Sequence, residues 1–454
     1  MGGKCDYNNS VEKFEQDSQS GPAPDRRINT MANCAIVGIN WGDEGKGRMV
    51  DLIARDYDIV CRYQGGNNAG HTIVNEYGKF ALHLIPSGIC LPGVVNVLGN
   101  GVVIDLESLC GEIEALQNAG VPVTPENFKI SERATIVFPY HRALDGLEEA
   151  RLKDKKYGST LRGIAPVYSD KYQKKTIMMG ELLYPAYLEK RLASILEWKN
   201  LTIQNVYGAE PYKLEDMLAW CREFGSKLAP YICDTSKYLY EAEKAGKNIM
   251  FEAQLGALRD IDFGIFPYTS SSSSNAGYAC VGAGIPGSHV DRTVGIVKAY
   301  STCVGEGPFT AEWFGDEAEQ LRVAGGEYGA STGRPRRVGP IDLVATRYGC
   351  RIQGATAVAL TKLDVLSYMK EIPVCTQYEV NGEKTDDFPF TAVIDEAKPV
   401  LTTVPGWGCD ISGVRKYEDL PQAARDYVEY VEKAIGVHIS YVSVGAGRDE
   451  IIYR

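Results

Sequence analysis

The chain lacks most of what would send a protein out of the cell or onto nucleic acid. No apolar run is long enough to span a bilayer. The N-terminus carries no apolar core of a secretory signal. The 12 cysteines are scattered from Cys5 to Cys409 with no C-x-x-C pair. Structural zinc needs such paired spacing, and disulfide frameworks belong mostly to short secreted chains. Reduced thiols in a cytoplasmic protein are therefore expected. No long basic block is present and the net charge is −11. That argues against a nucleic-acid surface, which needs clustered Lys and Arg, but leaves room for an anionic nucleotide in a local basic pocket. Histidine is scarce, with five in the chain, and a lone histidine is usually structural, so a catalytic one must be picked out by its neighbours.

With 454 residues, 44% of them hydrophobic, the chain can bury a large core. Residues 1–30 are polar, aperiodic and contain Ser-Gly-Pro-Ala-Pro-Asp, so they are expected to form a disordered leader or an appended tail. Met31 is a candidate natural start, and 31–454 reads as one domain. Short apolar runs at 33–39, 57–63, 96–103, 247–252, 293–300, 355–361 and 438–444 predict strands. Stretches 46–55, 105–118, 214–243, 341–353 and 421–435 predict helices. In the last, Ala423, Ala424, Tyr427, Tyr430, Val431 and Ala434 repeat at helical spacing. The alternation predicts an α/β fold with a large, mostly parallel central sheet and flanking helices.

Four motifs carry chemistry. Asn40-Trp41-Gly42-Asp43-Glu44-Gly45-Lys46-Gly47 follows the apolar run Cys34–Val37. A strand entering a glycine-rich turn with one lysine suits phosphate, through backbone N–H groups and a compact cation. The Walker pattern is not met, since Asn40 stands where the first glycine belongs and Gly47 where the metal-binding hydroxyl belongs. A carboxylate beside an anion suggests a metal ligand or a base, with Asp43 the nearer candidate. The plainer reading is a solvated glycine turn. Gln64-Gly65-Gly66-Asn67-Asn68-Ala69-Gly70-His71-Thr72 offers amides, glycine N–H groups and one titratable ring. His83, inside Leu82–Ile85, reads instead as a core or capping residue. Thr361-Lys362-Leu363-Asp364 ends an apolar strand and matches the guanine-reading T-K-x-D element. A carboxylate there accepts from the ring N–H and exocyclic amine of guanine, which adenine cannot supply as a pair. Ser331-Thr332-Gly333-Arg334-Pro335-Arg336-Arg337 is a basic island whose guanidinium forks suit carboxylates or phosphates. The run Ser270–Ser274 reads either as a flexible loop or as a hydroxyl-rich phosphate or ribose contact.

These four elements, in this order, resemble the adenylosuccinate synthetase family from about Ala35 to Ile452. Supporting runs are Leu82–Ile89, Arg162-Gly163-Ile164, Phe251-Glu252, Asp260-Ile261-Asp262 and Val404–Trp407. The resemblance implies a P-loop-like phosphate site and a ligase of AMP biosynthesis that joins IMP and L-aspartate with GTP and Mg²⁺. It implies Asp43, His71 and Lys46 as catalytic residues, and Asp43 with the Gly70 carbonyl as the ligands of one Mg²⁺. Gly42, Glu44, Gly45, Gly47, Gly70, Thr72, Arg336, Lys362, Asp364, Ser443 and Gly445 would meet GTP. Asn68, Thr160, Gln254, Ser270 and Arg334 would meet IMP, and Ser331, Thr332 and Arg334 would hold aspartate. A homodimer is implied, with Lys174 reaching the neighbouring IMP site, and neither a membrane nor nucleic acid as partner.

The chain departs from the family pattern mainly on the IMP side. Leu161 replaces a glycine, Gln254 stands one place early in Glu-Ala-Gln-Leu-Gly, Lys174 replaces an arginine, and Pro340 replaces a tryptophan. The family's Thr-Ser-Ser-Asn has become a serine run. Two other readings follow: a related ligase acting on a different purine monophosphate such as dGMP, whose known members tend to lack the aspartate matching Asp43, and a nucleotide-binding homologue without turnover.

Overall fold

The run Cys-Ala-Ile-Val-Gly at Cys34–Gly38 forms a strand whose five residues are all buried. It is apolar throughout because both faces are covered, as parallel sheets require. It lies near the middle of a ten-stranded sheet in the computed structural model, which describes residues 33–68, 70–75, 77–329 and 333–454. The strand order across the sheet is Ile451–Tyr453, Ile439–Ser443, Ala357–Thr361, Arg292–Lys298, Cys34–Gly38, Ile249–Glu252, Ile59–Arg62, Val95–Leu98, Phe128–Ser131, Ile232–Cys233. Every neighbouring pair is parallel except the edge pair of Ile439–Ser443 with Ile451–Tyr453.

The seven predicted strands all appear, shortened by a few residues at most where they are single. Two of them divide. The 96–103 run becomes Val95–Leu98 and Val103–Ile104, because Gly99-Asn100-Gly101 turns the chain. The 293–300 run ends at Lys298, and the chain then enters a second sheet. That sheet joins Tyr300–Cys303, Arg337–Asp342, Glu371–Val380, Glu383–Thr385 and Lys398–Pro405. Lys398–Pro405 is mostly exposed, so it has no apolar run to reveal it.

Helix Gln422–Ile435 buries Ala424, Tyr427, Val428, Val431 and Ile435. The stripe is rotated from the predicted one, leaving Ala423, Tyr430 and Ala434 at its margin. The stretch 214–243 is two helices, Leu214–Leu228 and Thr235–Lys244. Pro230 in the intervening turn has no N–H to continue the first. Asp234 then caps the second by accepting from the Lys237 amide at 3.0 Å. Helices Pro139–Leu152, Ile164–Gln173 and Pro185–Asn205 contribute to further packing, and the first two carry the rim of the site described below. Residues 1–30 lie outside the described residues.

Candidate active site

Parallel strands place their following loops along one edge of the sheet, where α/β folds bind ligands. Cys34–Gly38, Ile59–Arg62, Ile249–Glu252, Ala357–Thr361 and Ile439–Ser443 share one direction. Their loops carry the phosphate motif, the Gly-Asn-His run, Gln254, Lys362 with Asp364, and Ser443 with Gly445. Motifs more than 300 residues apart in sequence thus share one rim.

The phosphate turn is wound by left-handed residues. Gly42, Asp43 and Gly45 have φ of 97°, 60° and 98°. Glu44 is buried and braces the turn: Oε1 accepts from the Asn40 and Gly42 amides at 3.1 and 2.8 Å, and Oε2 pairs with Lys46 Nζ at 2.8 Å. Its side chain is therefore committed to the loop, which leaves only its backbone to face a ligand. Helix Lys46–Ile53 follows. A Cβ on Gly47 would stand 2.6 Å from His71 Cβ. A side chain carrying the hydroxyl of a Walker loop would therefore collide with His71 here.

His71 begins a hairpin, His71–Asn75 with Gly78–Leu82. Its Nδ1 is hydrogen-bonded to Glu252, a carboxylate buried at the end of the strand Ile249–Glu252. Glu252 also accepts from the Ser87 hydroxyl at 2.6 Å and the Ser87 amide at 2.8 Å. Burial pushes the His71 imidazole below its ordinary value against the pull of Glu252, with Arg62 and Lys46 adding to the push. Burial raises Glu252, but His71 and Arg62 more than reverse it and hold the carboxyl low. A neutral ring donating from Nδ1 leaves Nε2 as an acceptor, and that atom is buried with no partner among the described residues. His83 is not a core residue: its side chain is 38% exposed, and its Nδ1 lies 3.6 Å from Glu112.

Asp43 is partly exposed and meets Arg336, whose Nε lies 3.1 Å from Oδ2 as an ion pair without aligned hydrogen-bond geometry. Arg336 Nη1 also donates to the buried Glu327 at 2.7 Å. Lys362, at φ 58°, reaches the Gly325 carbonyl at 2.5 Å and Glu327 at 3.1 Å. Burial opposes ionisation of Glu327, yet Lys298 and Lys362 hold it well below the carboxylate range. Burial pushes the Asp364 carboxyl up, and its Oδ1 is buried without a partner among the described residues. Arg48, from the phosphate helix, donates to the Ser443 hydroxyl and to the Gly447 carbonyl, the latter at 2.6 Å. This ties the Ser443–Gly445 loop to the helix that opens at Lys46.

Most of the remaining predicted residues are held by contacts of their own. Asn68 Oδ1 accepts from the Gly66 amide at 3.2 Å. Gln254 is fully buried, and its amide pairs with the Gly66 backbone at 3.1 and 3.0 Å. Ser270 Oγ lies 3.1 Å from Ser272 Oγ, which donates to Gln64 at 2.9 Å. The serine run is no flexible loop: Ser272 and Ser274 are buried, and Asp260 accepts from the Ser274 amide at 2.6 Å. Thr160 is exposed on a loop held by Asp145, which takes the Ser159 hydroxyl and Gly163 amide at 2.7 and 2.8 Å. Arg334 Nη2 stands 3.8 Å from Glu306, and a Cβ on Gly158 would lie 3.0 Å from the same side chain. The Thr160 and Arg334 loops therefore meet at Glu306. Lys174, at φ 62°, is exposed at the end of helix Ile164–Gln173. Ser331, Thr332 and the Thr72 side chain lie outside the described residues.

Seven non-glycine residues have positive φ among the described residues, and Asp43, Leu161, Lys174, Leu255 and Lys362 are five of them. Such strain persists where surrounding structure demands it, and it gathers at functional sites. Sequence reasoning missed Glu327, Arg48 and the role of Glu252. Glu252 had a signal, a charge closing the apolar strand Ile-Met-Phe-Glu. Glu327 and Arg48 had none, since both look like ordinary surface charges in sequence.

The sequence and the fold are similar to those of known proteins. The family model described as adenylosuccinate synthetase matches residues 35–452. The adenylosuccinate synthetase of Halothermothrix orenii is 45% identical over 425 residues, covering 93% of this chain and 99% of the relative. That of Magnetococcus marinus is 43% identical over 424 residues, covering 93% and 98%. The fully ligated adenylosuccinate synthetase from Plasmodium falciparum superposes with a TM-score of 0.87 at 35% identity, covering 93% of this chain and 100% of that one. The cyanophage S-2L succinoaminodeoxyadenylate synthetase, solved with dGMP and dATP, reaches a TM-score of 0.57 at 18% identity over 93% and 95% of the chains. At that identity it bears on the fold alone.

Proposed function

Because the chain belongs to the adenylosuccinate synthetase family of GTP-dependent ligases, we propose that it joins IMP to L-aspartate, giving adenylosuccinate, GDP and phosphate. The observation that carries the reading is that loops of one rim carry both Asp43, a strained and partly exposed carboxylate, and a buried His71 whose Nε2 has no partner among the described residues. Asp43 takes the N1 proton of IMP, and O6 becomes the nucleophile toward the γ-phosphate of GTP. A bond forms from O6 to phosphorus as the bond to the GDP oxygen breaks. Lys46 and the glycine amides meet the phosphoryl charge. His71 lies ready neutral. Arriving phosphates favour its protonation, and Glu252 stabilises the imidazolium that then donates from Nε2. The aspartate amine next attacks C6 and phosphate leaves.

Asp364 and Lys362 read guanine, with the Ser443–Gly445 loop beside them. Asn68, Thr160, Ser270 and Arg334 hold IMP, and Gln254 acts on it through the Gly66 backbone that it braces. Ser331, Thr332 and Arg334 hold the aspartate carboxylates. One carboxylate and one carbonyl, Asp43 and Gly70, suit Mg²⁺, which takes few protein ligands and completes its shell with phosphate oxygens and water. When bound it neutralises donor phosphate charge. A homodimer is part of the proposal, supported by exposed Lys174 two residues from Tyr172, which is 79% exposed. A cytoplasmic setting is supported by the eleven cysteines among the described residues, all of them free thiols.

The test mixes the protein with IMP, GTP, Mg²⁺ and aspartate and follows adenylosuccinate absorbance, with dGMP in a parallel arm. Product from IMP is expected. No product and no aspartate-dependent phosphate release would defeat the reading, and turnover with dGMP alone would reassign the acceptor. Asp43→Asn should abolish phosphoryl transfer with the melting temperature retained. Substantial residual activity would remove Asp43 from its role.

A further inference from the structure

Four donors converge on one buried carboxylate that the proposed chemistry does not use. Glu327 is fully buried. Its Oε1 accepts from the Tyr300 hydroxyl at 2.5 Å, Lys298 Nζ at 2.9 Å and Lys362 Nζ at 3.1 Å. Its Oε2 accepts from Arg336 Nη1 at 2.7 Å, and its backbone carbonyl takes the Arg336 amide at 2.9 Å. Arg336 and Lys362 face different parts of the site. The first turns its Nε to Asp43 at 3.1 Å, and the second sits in the guanine-reading turn.

We propose that Glu327 is a positioning residue: it holds Arg336 against Asp43 and Lys362 in the guanine-reading turn, so that one anion aligns the donor-base site with the phosphoryl-transfer site. The proposal rests on the roles given above to Asp43 and Lys362. Its physical basis is twofold. A guanidinium is planar, so fixing Nη1 on Glu327 fixes the direction of Nε toward Asp43, which a lysine in its place cannot reproduce. Lys298, Lys362 and Arg336 are also three cations around one point, and without the carboxylate they repel and lose their common anchor.

A structural role alone would lower the folded fraction and leave the kinetic constants of folded molecules unchanged. Positioning moves them selectively. In Glu327→Gln, kcat is expected to fall on the order of tenfold or more, the size of one lost charged hydrogen bond. The KM for GTP and the Kd for GDP should rise by a similar factor, with the KM for IMP unchanged. Arg336→Lys keeps the charge and should lower kcat comparably without loss of melting temperature. The double variant should be little worse than either single one, because both break the same link. Wild-type kcat and GTP KM in folded Glu327→Gln, or full additivity of the two changes, would overturn the proposal. If Glu327→Gln does not fold, Arg336→Lys carries the test, and wild-type kcat in that variant overturns it. An unmutated chain that makes no adenylosuccinate defeats the functional reading instead, while GDP binding still reports the Glu327–Lys362 link.

Discussion

Gly47→Ala puts two physical effects in opposition. Alanine is the better helix former by about 0.8–1.0 kcal/mol, and Gly47 lies in the first turn of helix Lys46–Ile53 with no positive φ to excuse a glycine. Propensity alone predicts a more stable protein. Sterics predict the reverse, since the added Cβ falls 2.6 Å from His71 Cβ and 3.2 Å from both His71 Cγ and Ser87 Oγ. Carbon atoms rest at about 3.5–4.0 Å, so roughly 0.9 Å of separation must be found. Neither Cβ can rotate away, because each moves only with its backbone. Overpacking of this kind costs about 1–3 kcal/mol, which outweighs the helix gain. The shift falls on His71 and on Ser87, the two groups joined to Glu252. Displacement of a catalytic group by about 1 Å costs on the order of 100-fold in rate. Adenylosuccinate formation should therefore show kcat reduced about 100-fold, and urea unfolding should show a net loss of about 0–2 kcal/mol in place of the gain that propensity predicts. Gly47→Ser restores the hydroxyl of a Walker loop and should do no better. Wild-type turnover in Gly47→Ala, or recovered turnover in Gly47→Ser, would refute the steric account.

Two further outcomes are expected. His71 is buried with its pKa below the ordinary 6.5, so the unfolded chain binds more protons there as pH falls. Its contribution is complete above 6.5 and is lost below it. Asp342, pushed up to about 6 by burial, acts in the opposite sense, so the measurement is the melting-temperature difference between the wild type and His71→Gln. The wild type should lose ground as pH drops from about 7.5 to about 5.5, and a constant difference would contradict a buried neutral ring. Leu161 has φ 57° and is 50% exposed. Leu161→Gly should remove left-handed strain of about 1–2 kcal/mol with little packing lost, and urea unfolding without a gain in stability would show that the side chain packs usefully.

The central sheet was legible because its strands are buried on both faces. Such strands appear as unbroken apolar runs, and 33–39, 247–252 and 438–444 appear as Cys34–Gly38, Ile249–Glu252 and Ile439–Ser443. The phosphate and guanine motifs were legible for a similar reason, since glycines and charges interrupt apolar runs where a strand meets the rim. The second sheet was not, because Lys398–Pro405 is exposed along most of its length and gains its partner only from Glu371–Val380. The break at Ala229-Pro230 could have been read from the proline.

By itself, the sequence determined the α/β class, the four chemical motifs and the family they belong to, because each is a local pattern of residue type and spacing. Tertiary structure decided which way the side chains turn. It sent Glu44 inward to Lys46, closed the Gln254 amide on Gly66, buried the serine run on Asp260 and gathered Arg336, Lys298 and Lys362 on Glu327. Those choices depend on partners up to about 200 residues away in sequence, and desolvation sets their energies. Only the folded chain brings donors and acceptors close enough, and dry enough, for one arrangement to prevail.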